Sequence, residues 1–366
     1  MRPRRLAPLL ILFILLIQVS PASAAPQYRY TMSYTFENKG TSPVTLLSDD
    51  VAVLLFTQTQ WQKVTVESAT PPLGAEFTDV DGNRLANAGI PLTINAGANV
   101  TYTVVYGIET SDEQPPQLDA SKAGTTSDIP TALVSEYTGS NETFMANNTE
   151  IAALARSLTA DEPTVLGKLA RLVKWFYANV TYANHEVPLF PDETLRVKEG
   201  DCDDQSLLLI SMLRSLGVPS YLEVGIVIGS NIGGSETTWD GHLSIEEDGV
   251  GWHGWAMVYT PLWGWIPVDL TLVHDADPMK MIGGAPQYTA AVLTAFAVNE
   301  QPYTTLGVET RARIIDSTLY IYSTEKMEAV QAAWIDPTMI VLAAAIVGAV
   351  ALMFYTSRRQ PKRQTI

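Results

Sequence analysis

The sequence predicts an α+β fold, and three features of the 366-residue chain support this prediction. Apolar and polar residues alternate with a period of two near the N terminus, which is typical of half-buried strands. After Asp203 comes a segment of helical length that is apolar almost all round, and several strand-like segments follow it. Strands that follow one another without a helix between each pair favour an α+β fold over a doubly wound sheet.

Residues 26–108 are predicted to form an all-β sandwich domain. Aromatic and apolar side chains share one parity over residues 28–36, and the same alternation returns over residues 100–106. A turn signal, Asp-Gly-Asn, stands at residues 81–83. This part contains no cluster of catalytic residue types, so we expect it to serve packing, spacing or adhesion.

Residues 109–148 are rich in Ser, Thr, Asp and Pro, which predicts a linker. An α+β domain is predicted over 149–275, because apolar residues take helical spacing from near Thr149. Its second helix is expected to end before Gly217, which suits the C′ position. Strands of this core are predicted at residues 179–182, 221–228, 255–259 and 266–269. Residues 276–337 are predicted to be a C-terminal extension of the core, with one more strand at 314–322.

Both ends of the sequence carry targeting signals. Residues 1–25 have a basic start, an apolar stretch and an Ala-Ser-Ala site, which predict a secretory signal peptide. Residues 338–355 are uncharged and long enough for a transmembrane helix, and 356–366 are basic, which predicts a cytoplasmic tail. We therefore expect a single-pass protein of the cell membrane whose main part is extracellular.

The segment between these ends is strongly acidic. Seven of the 23 Lys and Arg residues lie in the two ends, which hold none of the 39 Asp and Glu residues, so 26–337 has a formal charge of −23. Such a surface repels nucleic acid, so no nucleic-acid partner is expected. Four N-glycosylation sequons suit an exported chain, and they begin at Asn99, Asn141, Asn147 and Asn179.

Cys202 is the only cysteine, so it cannot form a disulfide within the chain. An inert buried thiol, an intermolecular disulfide, a metal ligand and a nucleophile are the alternatives. Its place at the start of a predicted helix favours the nucleophile, because free N–H groups and the helix dipole stabilise a thiolate there. The same N–H groups can hold an oxyanion.

A nucleophilic thiol needs a base, and the base needs a partner that orients it. The predicted base is His253, at the start of one strand, and the predicted partner is Asp269, on the next strand. His242 is the fallback base. A zinc site that combines Cys202 with His185 or His242 is a weaker alternative, because the sequence lacks paired ligand spacing.

The segments that carry these residues resemble the transglutaminase-like superfamily, a branch of the papain-like thiol enzymes. GDCDDQSLLLISMLRSLGVPSY resembles the cysteine helix of that family, and WHGWAMVYTPLWGWIPVDLT resembles its histidine strand, turn and aspartate strand. The resemblance implies a papain-like core in which Cys202 attacks an acyl group, His253 shuttles protons and Asp269 orients His253. Gly254 and Leu270 depart from the alanine and proline common in the family, without removing a catalytic group.

The resemblance also extends to the order of the parts, which is similar to that of membrane-anchored prokaryotic members with a β domain before the core. The family's chemistry implies a thioester on Cys202 that is resolved by water or by an amine. We favour hydrolysis of an amide bond in an extracellular protein or peptide, as by a peptidase or amidase. The alternative is a non-catalytic binding or adhesion module that uses the β domain and keeps the core as a scaffold.

Acidic residues surround the thiol, and each nearby charge opposes its ionisation by on the order of 1 kcal/mol in a solvated site. The favoured interpretation is that Asp201, Asp203 and Asp204 cap the helix. The alternative is that they attract a cationic group or bind calcium. We predict no cofactor, with calcium as the weaker alternative. Four tryptophans near the histidine are predicted to pack in the core and turn, namely Trp252, Trp255, Trp263 and Trp265.

Overall fold

The computed structural model describes residues 27–330. The predicted signal peptide, transmembrane helix and cytoplasmic tail lie outside the described residues. Within 27–330, none of the helices combines the length and the hydrophobicity that a bilayer span requires.

The described chain is a mixed α and β structure. Its strands are β1 (Gln27–Asn38), β2 (Val44–Thr45), β3 (Ala52–Leu54), β4 (Gln62–Thr70), β5 (Glu76–Thr78), β6 (Arg84–Asn87), β7 (Thr93–Ile94), β8 (Asn99–Thr110), β9 (Thr181–Tyr182), β10 (Glu199–Gly200), β11 (Ser220–Thr238), β12 (Leu243–Thr260), β13 (Gly264–Val268), β14 (Val292–Val298) and β15 (Leu319–Ala329). Its helices are α1 (Thr131–Tyr137), α2 (Thr149–Leu158), α3 (Val165–Asn179), α4 (Pro191–Val197), α5 (Cys202–Ser215), α6 (Pro278–Gly283) and α7 (Tyr303–Ile315).

One eight-stranded sheet runs through both the N-terminal region and the core, in the order β14-β11-β12-β15-β1-β8-β4, with β13 beside β12. All pairs in it are antiparallel except β12 with β15. Because β1 lies between β15 and β8, the N-terminal β-rich region shares its sheet with the C-terminal strand. This corrects the expectation of a separate sandwich domain at 26–108.

The two faces of this sheet bury two hydrophobic cores. One core joins α2, α3 and α5 to the inner residues of β11, β12 and β13. The other joins β1 and β8 to β3, β7 and the segments around them, so the N-terminal region does have a second β layer. Residues 109–148 contain α1, and their Ile129 and Phe144 are buried in the helical core, so this segment is packed where the sequence suggested a linker.

Helix α5 confirms the prediction of a buried helix after Asp203. All side chains from Leu207 to Ile210 are fully buried, and so are Met212 and Leu213. The helix ends at Ser215, and Gly217 takes the left-handed conformation with φ of +73°. Near its end the buried guanidinium of Arg214 donates to the carbonyl of Ser220, to the carbonyl of Gly139 and to Asn299 Oδ1, which ties the helix to three neighbouring segments.

The predicted strand at 314–322 was wrong in its first half. Ile314 is fully buried in the last turn of α7, and β15 begins only at Leu319. A short apolar pair such as Ile314 and Ile315 has no period of its own, so sequence alone does not separate a helix end from a strand.

Candidate active site

Cys202 is the first residue of α5, and the acidic residues beside it cap this helix. Asp201 is the N-cap: its side chain accepts from the N–H of Asp204, while the side chain of Asp204 accepts from the N–H of Asp201. Asp204 is fully buried and also accepts from the N–H of Leu189 at 2.6 Å. The favoured interpretation of these two acids as helix caps is confirmed.

The side chain of Cys202 lies against an open edge of β12. Strand β12 pairs with β15 over Leu243–Asp248 and with β13 over Ala256–Thr260. Between these stretches, within the described chain, this edge has no strand partner. There the N–H of Gly254 donates to Cys202 Sγ at 3.4 Å. The gap between two strands therefore lets the start of α5 reach the residue that follows His253.

His253 and Asp269 form a buried pair. His253 Nε2 lies 2.6 Å from Asp269 Oδ2, with the histidine 6% exposed and the aspartate fully buried. Asp269 is the residue after β13, so the turn between β12 and β13 brings the two together, as the sequence predicted. The ring of His253 also stacks on Trp255, with 5.9 Å between ring centroids.

Asp269 is held by further donors. Its Oδ1 accepts from the N–H groups of Thr271 and Leu272, and its Oδ2 accepts from Gln287 Nε2 at 2.8 Å. Burial by itself would raise the pKa of Asp269, but the hydrogen bonds and the charge of His253 outweigh it, and the pKa is lowered. The carboxylate is therefore ionised and orients the imidazole through Nε2, which leaves Nδ1 for proton transfer.

The surroundings of the thiol oppose its ionisation. Burial raises the pKa of Cys202, and the charges of Asp203 and Asp201 raise it further, whereas the N–H of Gly254 lowers it. The sequence indicated two opposing effects, a helix end that stabilises a thiolate and acids that oppose it, and burial of the thiol adds to the opposing side. A protonated imidazole beside a thiol favours the thiolate, and here Gly254, the residue after His253, contacts Cys202 Sγ.

Asp203 is the carboxylate with the largest effect on the thiol. Its Oδ2 accepts from the hydroxyl of Tyr303 at 2.9 Å, and burial followed by the neighbouring Asp201 raises its pKa well above the usual value. The Cβ of Asp203 also explains why residue 254 is a glycine. A methyl group at Gly254 would lie 3.1 Å from this Cβ. The departure from alanine at this position therefore accompanies the close packing of β12 on α5.

The other two histidines considered as a base or as zinc ligands, His242 and His185, have other neighbours. His242 Nδ1 lies 2.8 Å from the carbonyl of Leu319, and its ring stacks on Tyr320. It lies directly before β12 and 11 residues from His253, which is roughly 36 Å at about 3.3 Å per residue, so the fallback base is excluded by position. His185 Nε2 is 4.0 Å from Asp204 Oδ2.

The atoms that could hold a cation at the helix start come from Asp201, Cys202 and Asp203, and they lie within 4.8 Å of one another. Their carboxylates, however, already accept hydrogen bonds from the capping N–H groups and Tyr303. Of the four sequon residues, Asn99 and Asn147 are exposed and Asn141 and Asn179 are half-buried.

Three residues near the site were not found from the sequence: Gln287, Tyr303 and Tyr182. Gln287 and Tyr303 come from the segment after 275, which showed no motif. Tyr182 precedes the helix, and its strand β9 pairs with β10 so that Tyr182 stands opposite Gly200, two residues before the thiol. Tyr182 is 61% exposed, and its partial burial and then the charge of Cys202 raise its pKa to about 12. The predicted short strand at 179–182 was the only signal that could have pointed to it.

Residues 152–270, which include all three predicted catalytic residues, match the family model of the transglutaminase-like superfamily. A crystal structure of a candidate cysteine protease from Cytophaga hutchinsonii is 14% identical with a TM-score of 0.52, over 85% of this chain and 93% of that chain. At this identity the likeness shows the fold alone. A search among curated proteins found no match.

Two further solved structures are more distant. The periplasmic domain of TgpA from Pseudomonas aeruginosa, bound to ethylmercury, is 14% identical with a TM-score of 0.33, over 73% of this chain and 93% of that chain. A candidate protease from Parabacteroides distasonis is 12% identical with a TM-score of 0.28, over 75% of this chain and 68% of that chain.

Proposed function

Because residues 152–270 form a transglutaminase-like core, we propose that this protein is a cysteine enzyme that hydrolyses an amide bond through a thioester on Cys202. The observation that carries the proposal is the pair of contacts at one place: His253 Nε2 on Asp269, and the next residue, Gly254, on Cys202 Sγ. A base that is oriented by a carboxylate beside a thiol at a helix start is the arrangement of thiol hydrolases.

The chemistry that this arrangement supports has two steps. His253 takes the thiol proton, Cys202 Sγ attacks the carbonyl carbon, and the C–N bond breaks as His253 returns the proton to the leaving amine. Water then gives a proton to His253 and attacks the thioester, which releases the acid and restores the thiol. The N–H groups at the start of α5 are donors for the oxyanion in both steps.

From the sequence signals at both ends of the chain, we propose that the reaction takes place outside the cell, on a protein or peptide. The motivation is the basic flank after residues 338–355, which belongs on the cytoplasmic side. An impermeant peptide substrate added to intact cells would be cleaved in this topology. Activity found only after lysis would contradict it.

We predict that iodoacetamide alkylation of Cys202 depends on His253. In the full-length chain, which has one thiol, His253→Ala should slow alkylation by about tenfold or more at neutral pH, since the half-buried thiol loses its proton acceptor. The two rates should converge at alkaline pH. His242→Ala is the matched control and should alkylate like the wild type.

A second candidate function is a non-catalytic module, and the raised pKa of the Cys202 thiol is the observation that favours it. The alkylation experiment separates the two functions. A thiol that stays unreactive below alkaline pH, with the same rate in the wild type and in His253→Ala, would leave the binding module as the better proposal.

We predict that Tyr182 supplies a second oxyanion donor. Tyr182→Phe should lower turnover of an amide substrate by about 10²-fold, because one donor to the oxyanion is lost. Its alkylation rate should stay unchanged, since no oxyanion forms in that reaction. The hydroxyl now donates to Asn184 Oδ1 at 2.9 Å, so Asn184→Ala is the control that removes this hydrogen bond but keeps the hydroxyl. Equal loss of turnover in both variants would indicate a structural role.

A further inference from the structure

A cavity of about 630 Å³ lies between the N-terminal region and the core. Its walls come from β1, β12, β15 and α7. Its volume is in the range of roughly 300–1,000 Å³ that small-molecule sites occupy. Three large apolar side chains in its lining are left uncovered: Leu47 is 51% exposed, Trp252 37% and Leu306 41%. A second cavity, of about 620 Å³, shares Tyr34, Trp252 and Leu306 with it.

The lining of the larger cavity is strongly acidic. It contains five carboxylates and one guanidinium, and that guanidinium, of Arg313, is paired with Asp50 at 2.5 Å. The remaining acids include Glu247 and Glu325, and no ion pair among the described residues involves either of them. The cavity lining therefore holds more negative charge than its one cation, Arg313, can neutralise.

Glu325 is fixed at the inner wall by neutral donors. It is 2% exposed, and its Oε2 accepts from the hydroxyl of Tyr30 at 2.5 Å and from the indole of Trp252 at 2.9 Å. Its Oε1 accepts from Tyr34 and Ser323. Five residues from three strands, β1, β12 and β15, thus build one acidic wall, and they fix the indole of Trp252 at the edge of the cavity.

Glu247 is the carboxylate that the protein leaves without compensation. It is half-buried, and burial followed by the charge of Glu325 raises its pKa to about 7. No donor among the described residues offsets this. A positive group in the cavity would relieve the repulsion between the two carboxylates and would also face the indole of Trp252.

We propose that this cavity binds an organic amine, in which a protonated amino group is carried on an apolar or aromatic body. Glu247 is its counter-ion, Trp252 offers a ring face, and Leu306 covers the apolar part. Trp252 is two residues from Gly254 on β12, but Cys202, His253 and Asp269 do not line the cavity, so this is a separate site. The proposal goes beyond the thiol chemistry and does not depend on it.

The test is calorimetric titration of the full-length Cys202→Ala variant with tryptamine and with tryptophol, its uncharged counterpart. Tryptamine should bind about tenfold or more tightly than tryptophol, because only it carries the charge. Glu247→Gln should remove this preference, whereas Glu246→Gln, on the exposed side of the same strand, should keep it.

Three outcomes would overturn the proposal: no binding of either compound, equal binding of both, or an unchanged preference in Glu247→Gln. If Glu247→Gln does not fold, the affinities of tryptamine and tryptophol for the Cys202→Ala protein still test the proposal. Since the thiol is absent in all these proteins, failure of this site and failure of the proposed hydrolysis are distinguishable.

Discussion

Replacing Asp269 by Asn should lower turnover of an amide substrate by about 10³- to 10⁴-fold while the fold is retained. In the wild type the carboxylate accepts the proton on His253 Nε2, so Nδ1 is free to take the thiol proton. An amide at 269 would instead donate to Nε2, which moves the ring proton to Nδ1. The base would then be blocked at the atom that the reaction needs.

The structure explains why the fold should tolerate this change. The oxygen of an Asn side chain can still accept from the N–H groups of Thr271 and Leu272. The amino group of the Asn side chain would then face Gln287, whose Oε1 is buried without a partner in the described chain. If the side-chain amide of Gln287 rotates by 180°, this Oε1 accepts a hydrogen bond from the amino group. The Nε2 of Gln287 then takes the place of its Oε1, where the described chain offers no hydrogen-bond partner, so we expect a modest loss of stability of about 1–3 kcal/mol without unfolding.

The measurements are steady-state turnover, the rate of Cys202 alkylation and thermal unfolding. Because the pKa of Asp269 is lowered on folding, its carboxylate stabilises the wild type above its unfolded pKa of about 4, and this contribution is lost as the pH falls through the lowered value. Asp269→Asn should lose that part of the acid dependence. Asp275→Asn, in the following loop, is the control for turnover and alkylation, and wild-type turnover in Asp269→Asn would refute the assigned role.

The sequence was sufficient for the parts of the site that depend on local signals. The helix that starts at Cys202 is marked by its capping acids and its apolar run, and the pair of His253 and Asp269 follows from two strands joined by a tight turn. Each of these inferences needs only residues that are near in sequence. The resemblance to a known family then related the helix to the strands.

The sequence did not predict contacts between distant segments. Tyr30 and Glu325 meet because β1 pairs with β15, and no local period records a pairing between segments at opposite ends of the described chain. For the same reason Gln287 and Tyr303 were missed, since each is defined by its partner in the core. The balance of charge at the thiol also depends on burial, which the sequence does not give.

The second large effect is expected for Gly225→Ala. Gly225 stands opposite His253 in the pairing of β11 with β12, and β14 shifts its register beside this glycine. A methyl group there would overlap the carbonyl oxygen of Leu293 and lie 2.6 Å from the indole of Trp255. Since backbone on one side and a fully buried ring on the other leave no room to relax, we expect a loss of about 3 kcal/mol or more in the free energy of unfolding.

Gly234→Ala, on the same strand, is the matched control for this prediction. No atom lies within 4 Å of a methyl group built at Gly234, so the unfolding free energy should change by less than about 0.5 kcal/mol. Both variants are compared by urea unfolding of the full-length chain. If Gly225→Ala unfolds like Gly234→Ala, then β14 does not approach β11 as closely as described. Trp255, on which the ring of His253 stacks, would then have space to move. The packing of β11 against His253 would be looser than the contacts at Gly225 indicate.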